Sequence, residues 1–293
     1  MCPDMCIVET SSTLTTPSIK RQYSLFDPQM MVETDTLHRL ETDMRAGLSR
    51  SEFEVHYQPI IDARTKNIAG AEALVRWRHP EHGLIPPANF IPLAESTGLI
   101  IPLGEFVLHR ACCDAMSWPA ELKVAVDLSA IQFRKTNLFD VIMCALIESG
   151  LPPERLEVEV TESVLLENEA EYAVMLHQLK NIGVSVALDD FGTGYSSLSY
   201  LKQFPFDKIK IDRSFIADVG ENESSMAIVS AIIGLARGLD MMTTAEGIET
   251  ERQFEIMRAA GVTLAQGYLF GRACPVAEFN AGLERADQQK VAS

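Results

Sequence analysis

Eight short apolar segments recur along this chain, and helical patterns separate most of them. The predicted strands lie at residues 53–61, 69–77, 122–128, 156–160, 184–188, 208–211, 241–245 and 263–265. The helical patterns are clearest at residues 169–181, 224–238 and 251–260. Strands that alternate with helices form parallel sheets, and eight such units close a TIM-like (β/α)8 barrel of about 250 residues. The 293-residue sequence therefore predicts an α/β barrel.

The first two predicted strands depart from this regular alternation. Only seven residues separate Ile61 from Ala69, and they read as a turn. A parallel crossover needs a dozen or more residues, so we expect an irregular barrel whose first strand is antiparallel to the rest. An open doubly wound sheet is the alternative. The glycine pattern does not favour it, because Gly192 and Gly194 are followed by Ser197 where a dinucleotide-binding turn has its third glycine.

The segments before the first strand have a different character. Residues 1–20 hold many Ser and Thr without any sustained period, and we expect a disordered tail. Residues 21–50 are predicted to form a lead-in segment with an amphipathic helix, because Leu37, Leu40, Met44 and Leu48 recur at helical spacing. Residues 51–293 are assigned to the barrel domain.

The composition excludes several classes of protein. A formal net charge of −16 argues against binding DNA or RNA polymers, which needs clustered Lys and Arg. It does not exclude a small phosphate ligand, because bound metals can reverse the local charge. No apolar run approaches the roughly 18 residues of a membrane span, and no signal peptide is recognisable. The six cysteines form no C-x-x-C pair, so we expect reduced thiols and a cytoplasmic location.

Oxygen-bearing side chains stand within or directly after seven successive predicted strands. They are Glu72 in the second strand and then Asp127, Glu159 with Glu162, Asp189 with Asp190, Asp212 after Lys210, Glu246 with Glu249, and Gln266. Barrel enzymes build their sites at the C-terminal ends of the strands. A single carboxylate in an apolar strand is usually a paired structural acid. Seven strands with the same pattern predict one site at that rim.

The types of residue at this rim indicate which metal they would bind. Oxygen ligands without a Cys/His set favour Mg²⁺ or Mn²⁺ over zinc. The neighbouring carboxylates of Asp189 and Asp190 suit two cations, which would polarise a phosphate and activate water for in-line attack. Lys210 could orient that water or stabilise developing charge. The alternative role for Lys210 is a structural partner of Glu246 or Asp212.

The segment 189–197 is predicted to be a loop that then begins a helix. Gly192 and Gly194 permit unusual backbone angles, and Ser196 or Ser197 could cap the helix. A loop in this place, beside the metals, is a candidate switch.

These motifs resemble the EAL family of phosphodiesterases. The E-A-L-x-R signature stands at residues 72–76. Further matches follow in the family's order and spacing at residues 57–60, 159–162, 189–194, 210–212, 245–250 and 266–268. The resemblance covers roughly residues 50–285. It implies hydrolysis of cyclic di-GMP to linear pGpG with Mg²⁺ or Mn²⁺.

The resemblance also implies roles for individual residues. The expected metal ligands are Glu72, Asp127, Glu159, Asp189, Asp190 and Glu246, and the expected catalytic residues are Lys210, Glu246 and Glu72. The expected substrate contacts are Gln58, Arg76, Asp212, Glu249 and Gln266, and Glu162 is expected to anchor the 189–194 loop. For Arg76 a salt bridge to a rim acid is the alternative.

One predicted metal ligand departs from the family pattern. The family has Asn where this chain has Asp127, within the segment 126–129. The two side chains are nearly isosteric, but the Asp adds a negative charge beside other carboxylates. We expect metal and nucleotide binding to be retained, and hydrolysis to be slower. A smaller departure, Ala273 where the family usually has Pro, concerns only the last loop.

Two further functions compete with a working phosphodiesterase. The first is a non-catalytic cyclic di-GMP receptor, although such receptors generally lose several metal ligands and only one is altered here. The second is a different metal-assisted barrel enzyme that uses Lys210 as a base.

The resemblance also bears on assembly. Family members often form dimers near the 189–194 loop, so a homodimer is expected. Residues 23–30 resemble the junction that follows a GGDEF cyclase domain, so we expect the chain to be a fragment or a truncated relative. No cyclase signature is present in the sequence itself.

Overall fold

The computed structural model describes residues 28–165, 169–192 and 200–291. Its strands are β1 (Phe53–Asp62), β2 (Ile68–His79), β3 (Gly83–Ile85), β4 (Lys123–Leu128), β5 (Leu156–Thr161), β6 (Ser185–Phe191), β7 (Lys208–Ile211), β8 (Met242–Ala245), β9 (Leu264–Gln266) and β10 (Cys274–Pro275). Its helices are α1 (Pro28–Ser49), α2 (Pro87–Thr97), α3 (Ile100–Ala115), α4 (Ala130–Lys135), α5 (Leu138–Ser149), α6 (Glu162–Leu165), α7 (Glu169–Asn181), α8 (Tyr200–Gln203), α9 (Arg213–Ala217), α10 (Glu223–Gly238), α11 (Glu251–Ala260) and α12 (Val276–Val291), with a 3₁₀ turn at Pro153–Arg155.

The sheet closes into a barrel of eight strands. Its order is β1-β2-β4-β5-β6-β7-β8-β9, and β9 pairs again with β1. Strand β1 is antiparallel to both of its barrel neighbours, while β2 and β4 to β9 run parallel to one another. The predicted irregular (β/α)8 barrel with an antiparallel first strand is therefore confirmed, and the open-sheet alternative is wrong.

Two short strands outside the barrel were not predicted from the sequence. Strand β3 pairs with the end of β2, and β10 pairs with β1 at Tyr57↔Cys274. They contain three and two residues, too few to show a two-residue alternation of apolar and polar side chains.

Most of the core lies between the barrel and its helices, and a second cluster lies under α1 and α2. In that second cluster Met44 of α1 packs with Phe53, Trp77, Phe90 and Leu103. The lead-in helix thus shares an apolar cluster with the barrel domain.

Several predicted features fall wholly or partly outside the described residues. They are the tail at 1–20, residues 23–27 of the GGDEF-like junction at 23–30, and the loop positions Ser196 and Ser197. In the described ranges, no helix has the length and apolar character needed to cross a membrane.

Candidate active site

Three carboxylates meet inside the barrel, one within β2 and the others near the C-terminal ends of β4 and β5. Alternate residues of a strand face opposite sides of a sheet, so only every second side chain of these strands can point into the barrel. Glu72, Asp127 and Glu159 each place a carboxylate oxygen within 4.8 Å of the others. Glu72 and Glu159 are buried, whereas Asp127 is exposed. The three residues, predicted from their positions in or at the end of separate strands, thus form one potential ligand set.

Lys210 of β7 lies among the carboxylates at this rim and is itself only 2% exposed. Its Nζ lies 2.8 Å from Glu246 Oε1, 3.3 Å from Asp189 Oδ1 and 3.6 Å from Glu72 Oε1. It also forms a close ion pair with Glu159. We call Glu72, Asp127, Glu159, Asp189 and Glu246 the acidic cluster. The contact between Lys210 and Glu246, which was the alternative role expected for Lys210, is therefore present in the structure. Lys210 contacts three further acids in addition.

A β-bulge explains how adjacent residues Asp189 and Asp190 both stand at the rim. The ladder between β6 and β7 pairs Leu188 with Ile209 and then Phe191 with Ile211, so both Asp residues lie opposite Lys210 alone. Asp190 adopts a positive φ of 54°, and its backbone N–H donates to Asp189 Oδ1 at 2.9 Å. In a regular strand the two side chains would face opposite sides of the sheet.

Burial shifts the pKa values of three carboxyl groups in the acidic cluster upward. It raises the pKa of Asp127 to about 7, with repulsion from Glu72 acting in the same direction. Although Asp127 retains access to solvent, protein atoms surround its carboxyl group closely. Burial also raises the pKa of Glu246 to about 8 and that of Glu159 well above its ordinary value, although the charge of Lys210 opposes both shifts. The cluster holds more negative charge than one lysine neutralises.

The charge of Lys210 is stabilised by the same neighbours. Burial acts to lower the pKa of Lys210, but the carboxylates of Glu159 and Glu246 outweigh it and hold that pKa well above its ordinary value. Lys210 is therefore a fixed positive charge in the site.

Two glutamines close the other side of the cluster. The side-chain amide of Gln266 donates to Glu72 and, at 3.2 Å, to Gln58 Oε1. Gln58 in turn donates to the carbonyl oxygen of Gly271 at 3.2 Å. This chain of hydrogen bonds joins β1, β2 and β9 and fixes the orientation of the Glu72 carboxylate.

Two cavities flank the acidic cluster. The large cavity has a volume of about 480 Å³, and its walls include Asp127, Glu159, Asp189 and Asp190. The small cavity has a volume of about 230 Å³, and its walls include Glu72 and Glu246. The acidic cluster thus lies between two spaces, so a ligand that fills both would place its centre over the carboxylates.

Four of the five predicted substrate contacts line these cavities, and Asp212 lines neither. Arg76 lines the large cavity, while Gln58, Glu249 and Gln266 line the small one. Arg76 forms no ion pair among the described residues, and its Nη1 donates to the carbonyl oxygen of Val75 at 2.8 Å. The alternative of a salt bridge from Arg76 to a rim acid is therefore not found.

Two other predicted residues have local contacts. Asp212 caps helix α9, since its Oδ1 accepts the backbone N–H of Ser214 at 3.0 Å. Burial acts to raise the pKa of the Asp212 carboxyl, but the bonds from Ser214 prevail and lower it. Glu162 is buried at the start of α6. Its expected contact with the 189–194 loop involves positions outside the described residues, and its anchoring role stays a prediction.

Several residues of the cavities were missed by the sequence reasoning. Ser129 follows β4, donates to Glu95 Oε1 at 2.7 Å, and lines the large cavity together with Glu95. Arg213 and Tyr268 line the small cavity. Arg213 and Ser129 could have been found from the sequence, because each directly follows a residue already assigned to the end of a strand.

Comparison with known proteins places this geometry in a family. The chain matches the EAL domain over residues 41–273. An uncharacterized protein of Sinorhizobium fredii is 46% identical over 91% of this chain and 32% of its own length. MucR of Pseudomonas aeruginosa, a bifunctional diguanylate cyclase/cyclic di-GMP phosphodiesterase, is 43% identical over 89% of this chain and 39% of its own length.

A solved structure leads to the same family. The PaMucR phosphodiesterase in complex with c-di-GMP aligns with a TM-score of 0.79 and 44% identity, over 82% of this chain and 99% of that one. The chain spans about a third of the length of the curated relatives that it matches, between 31% and 39% for the examples with the highest identity. The matched residues include every member of the acidic cluster, and the chain belongs to the EAL domain family.

Proposed function

We propose that this chain hydrolyses cyclic di-GMP to linear pGpG with two divalent cations, Mg²⁺ or Mn²⁺. The observation that carries the proposal is the acidic cluster around Lys210, which lies between two cavities. Relatives named cyclic di-GMP phosphodiesterases support the substrate, among them NbdA of Pseudomonas aeruginosa and PdeR of Escherichia coli, which are 42% and 37% identical to this chain.

The donor set fits magnesium or manganese. Glu72, Asp127 and Glu159 offer hard oxygen ligands within 4.8 Å of one another, and Asp189 stands beside them on the bulge. Asp190, exposed at the rim, is the proposed ligand for a second ion. When bound, the two cations would supply Lewis-acid activation of the phosphodiester and of a water nucleophile.

The protein's own groups would then position the reactants. Lys210 is held by Glu159 and Glu246, so its ammonium group has a fixed place beside the attacked phosphate and can stabilise developing negative charge. Glu246 lines the small cavity and lies 2.8 Å from Lys210 Nζ, so it is the proposed acceptor of the water proton.

Asp127 is proposed to slow this reaction. It adds a third carboxylate to those of Glu72 and Glu159. The charge of the bound cation would therefore be neutralised more fully, and the cation would attract the phosphate less. Substituting Asp127→Asn should therefore raise turnover several-fold while the affinity for the cation falls.

The test is release of pGpG from cyclic di-GMP by the wild-type protein and the Asp127→Asn variant. It compares Mg²⁺, Mn²⁺ and chelator, with a Gln132→Glu variant as a charge-change control at another residue of the large cavity. Cation-dependent product with faster turnover in Asp127→Asn supports the account. Equal turnover of the two proteins under saturating metal contradicts the proposed role of Asp127.

A cyclic di-GMP receptor is the second candidate function, and the extra charge of Asp127 is the observation that favours it. A receptor would bind cyclic di-GMP in the two cavities and release no pGpG with either metal. A homodimer and an upstream GGDEF domain remain predictions from the sequence.

A further inference from the structure

Arg213 is a cation of the small cavity to which neither the sequence nor the relatives assign a role. It directly follows β7 and begins helix α9, where Asp212 caps the helix. Its side chain is exposed and lines the same cavity as Glu72, Glu246 and Tyr268.

Within the part of the chain that the structure describes, the charge of Arg213 has no counter-ion at contact distance. Among the described residues it forms neither an ion pair nor a side-chain hydrogen bond. Asp190 and Asp212 feel its charge, but neither reaches it as a salt bridge. An unpaired Arg on a protein surface is ordinary, but this one faces a cavity whose other charged residues are the carboxylates Glu72, Glu246 and Glu249.

The backbone opposite holds the base of this side chain in place. Gly247 adopts a positive φ of 69°, and a Cβ built on it would come within 2.4 Å of Arg213 Cβ. The segment after β8 can therefore pack directly against Arg213 only because residue 247 is glycine. This contact fixes where the guanidinium group begins its reach into the small cavity.

The charge of the substrate supplies the missing partner. A cyclic dinucleotide carries two phosphates, and only one of them can be attacked over the acidic cluster at a time. The other phosphate must lie close to acidic walls that repel it unless a cation is present. Arg76 serves the large cavity, and Arg213 is its counterpart in the small one.

We propose that Arg213 binds the phosphate of the cyclic dinucleotide that is not being cleaved, through acceptor oxygens presented in the small cavity. The inference rests on the proposed function, since it takes the same substrate. Arg213 is then a substrate-binding residue that affects KM, while Lys210 and the acidic cluster determine kcat.

The experiment measures kcat and KM for cyclic di-GMP in the wild-type protein and in the Arg213→Gln and Arg213→Lys variants. Arg64→Gln is the matched control, because Arg64 is exposed in the turn between β1 and β2 at the opposite end of the barrel. Thermal unfolding of each variant checks that the fold is retained. Bis(p-nitrophenyl) phosphate, which has one phosphate, serves as the second substrate.

The proposal expects KM for cyclic di-GMP to rise about tenfold in Arg213→Gln with kcat within about twofold, and Lys to restore part of the loss. The increase of KM with salt should be shallower in Arg213→Gln than in the wild type. Kinetics on bis(p-nitrophenyl) phosphate should be unchanged.

Three results would overturn the assignment. An unchanged KM in Arg213→Gln would show that Arg213 does not contact the phosphate. An equal loss of activity on both substrates would show that the substitution acts through the structure of the site. If Arg213→Lys restores no affinity, Arg213 contacts the edge of a base instead of a phosphate. If the wild type binds cyclic di-GMP without turnover, the same comparison is made on Kd, so the inference stands or falls separately from catalysis. If the wild type neither binds nor hydrolyses it, the proposed function and this inference both fail.

Discussion

Two levels of charge lie on the same pair of strands inside the barrel, and their compositions differ. In the lower level, Lys208 of β7 pairs with Glu157 of β5 at 2.5 Å, and both side chains are buried. In the upper level, two residues further along each strand, Lys210 contacts Glu159 and also Glu72, Asp189 and Glu246. The lower level has one acid for its lysine, and the upper level has an excess of acids.

This difference separates a structural ion pair from a site. A buried pair of opposite charges is satisfied within the protein and needs no ligand. Several carboxylates around one ammonium group leave negative charge that cations from solution can neutralise. The lower level should therefore affect folding, and the upper level metal binding and turnover.

The largest expected effect comes from removing a carboxylate of the upper level. Glu159→Gln should lower turnover by roughly a thousandfold, because it removes a proposed ligand and a partner of Lys210 together. Cation affinity, measured by titration calorimetry, should fall in the same variant. Normal cation affinity in a folded Glu159→Gln protein would show that this residue is not a ligand.

The lower level should respond in stability instead. Lys208→Met leaves Glu157 buried without its partner and should lower the free energy of unfolding by about 3–5 kcal/mol, as measured by urea denaturation. The matched double variant Glu157→Met with Lys208→Met should lose less, because no unpaired charge remains. Turnover per folded molecule should stay within a few-fold of wild type. A selective loss of turnover would mean that the lower level also serves the site.

The smallest expected effect is the pH dependence of the metal-free protein. Asp127 and Glu246 have pKa values of about 7 and about 8 in the fold, above their ordinary values of 3.8 and 4.5. Groups with raised pKa values stabilise the fold at low pH, and this contribution is lost as pH rises through 7 and 8. Without cations, the melting temperature should therefore decline from pH 5 to pH 8.5, and saturating Mn²⁺ should reverse the decline.

Two variants serve as controls for that pH dependence. Asp127→Asn should flatten the lower part of the decline, whereas the double variant Glu157→Met with Lys208→Met, which removes both ionisable groups of the other level, should shift the whole curve without changing its slope. The same slope in Asp127→Asn and wild type would show that Asp127 does not titrate in this range.

Much of this architecture could be predicted from the sequence. Strand periodicity and the length of the first turn were enough to predict the barrel and the antiparallel β1. The positions of Glu72, Asp127 and Glu159 relative to strand ends were enough to predict that their carboxylates meet. Both predictions follow from local patterns, since strand ends at one rim of a parallel barrel converge whatever the loops do.

Other features depend on contacts between distant residues. The bulge at Asp189 and Asp190 is a one-residue shift in pairing, which a run of residues does not reveal. The close packing of the segment after β8 against Arg213 depends on Gly247, more than thirty residues away. The charge of Lys208 on β7 is neutralised by Glu157 on β5. This contact exists only in the folded chain.

The most direct test of the central claim is turnover of cyclic di-GMP by the wild-type chain with Mg²⁺, with Mn²⁺ and with chelator, followed by chromatography of the products. The expected product is pGpG, formed only with a divalent cation, and Glu159→Gln should form it roughly a thousandfold more slowly. Equal rates with cation and with chelator, or no hydrolysis with either cation while cyclic di-GMP still binds, would contradict the central claim.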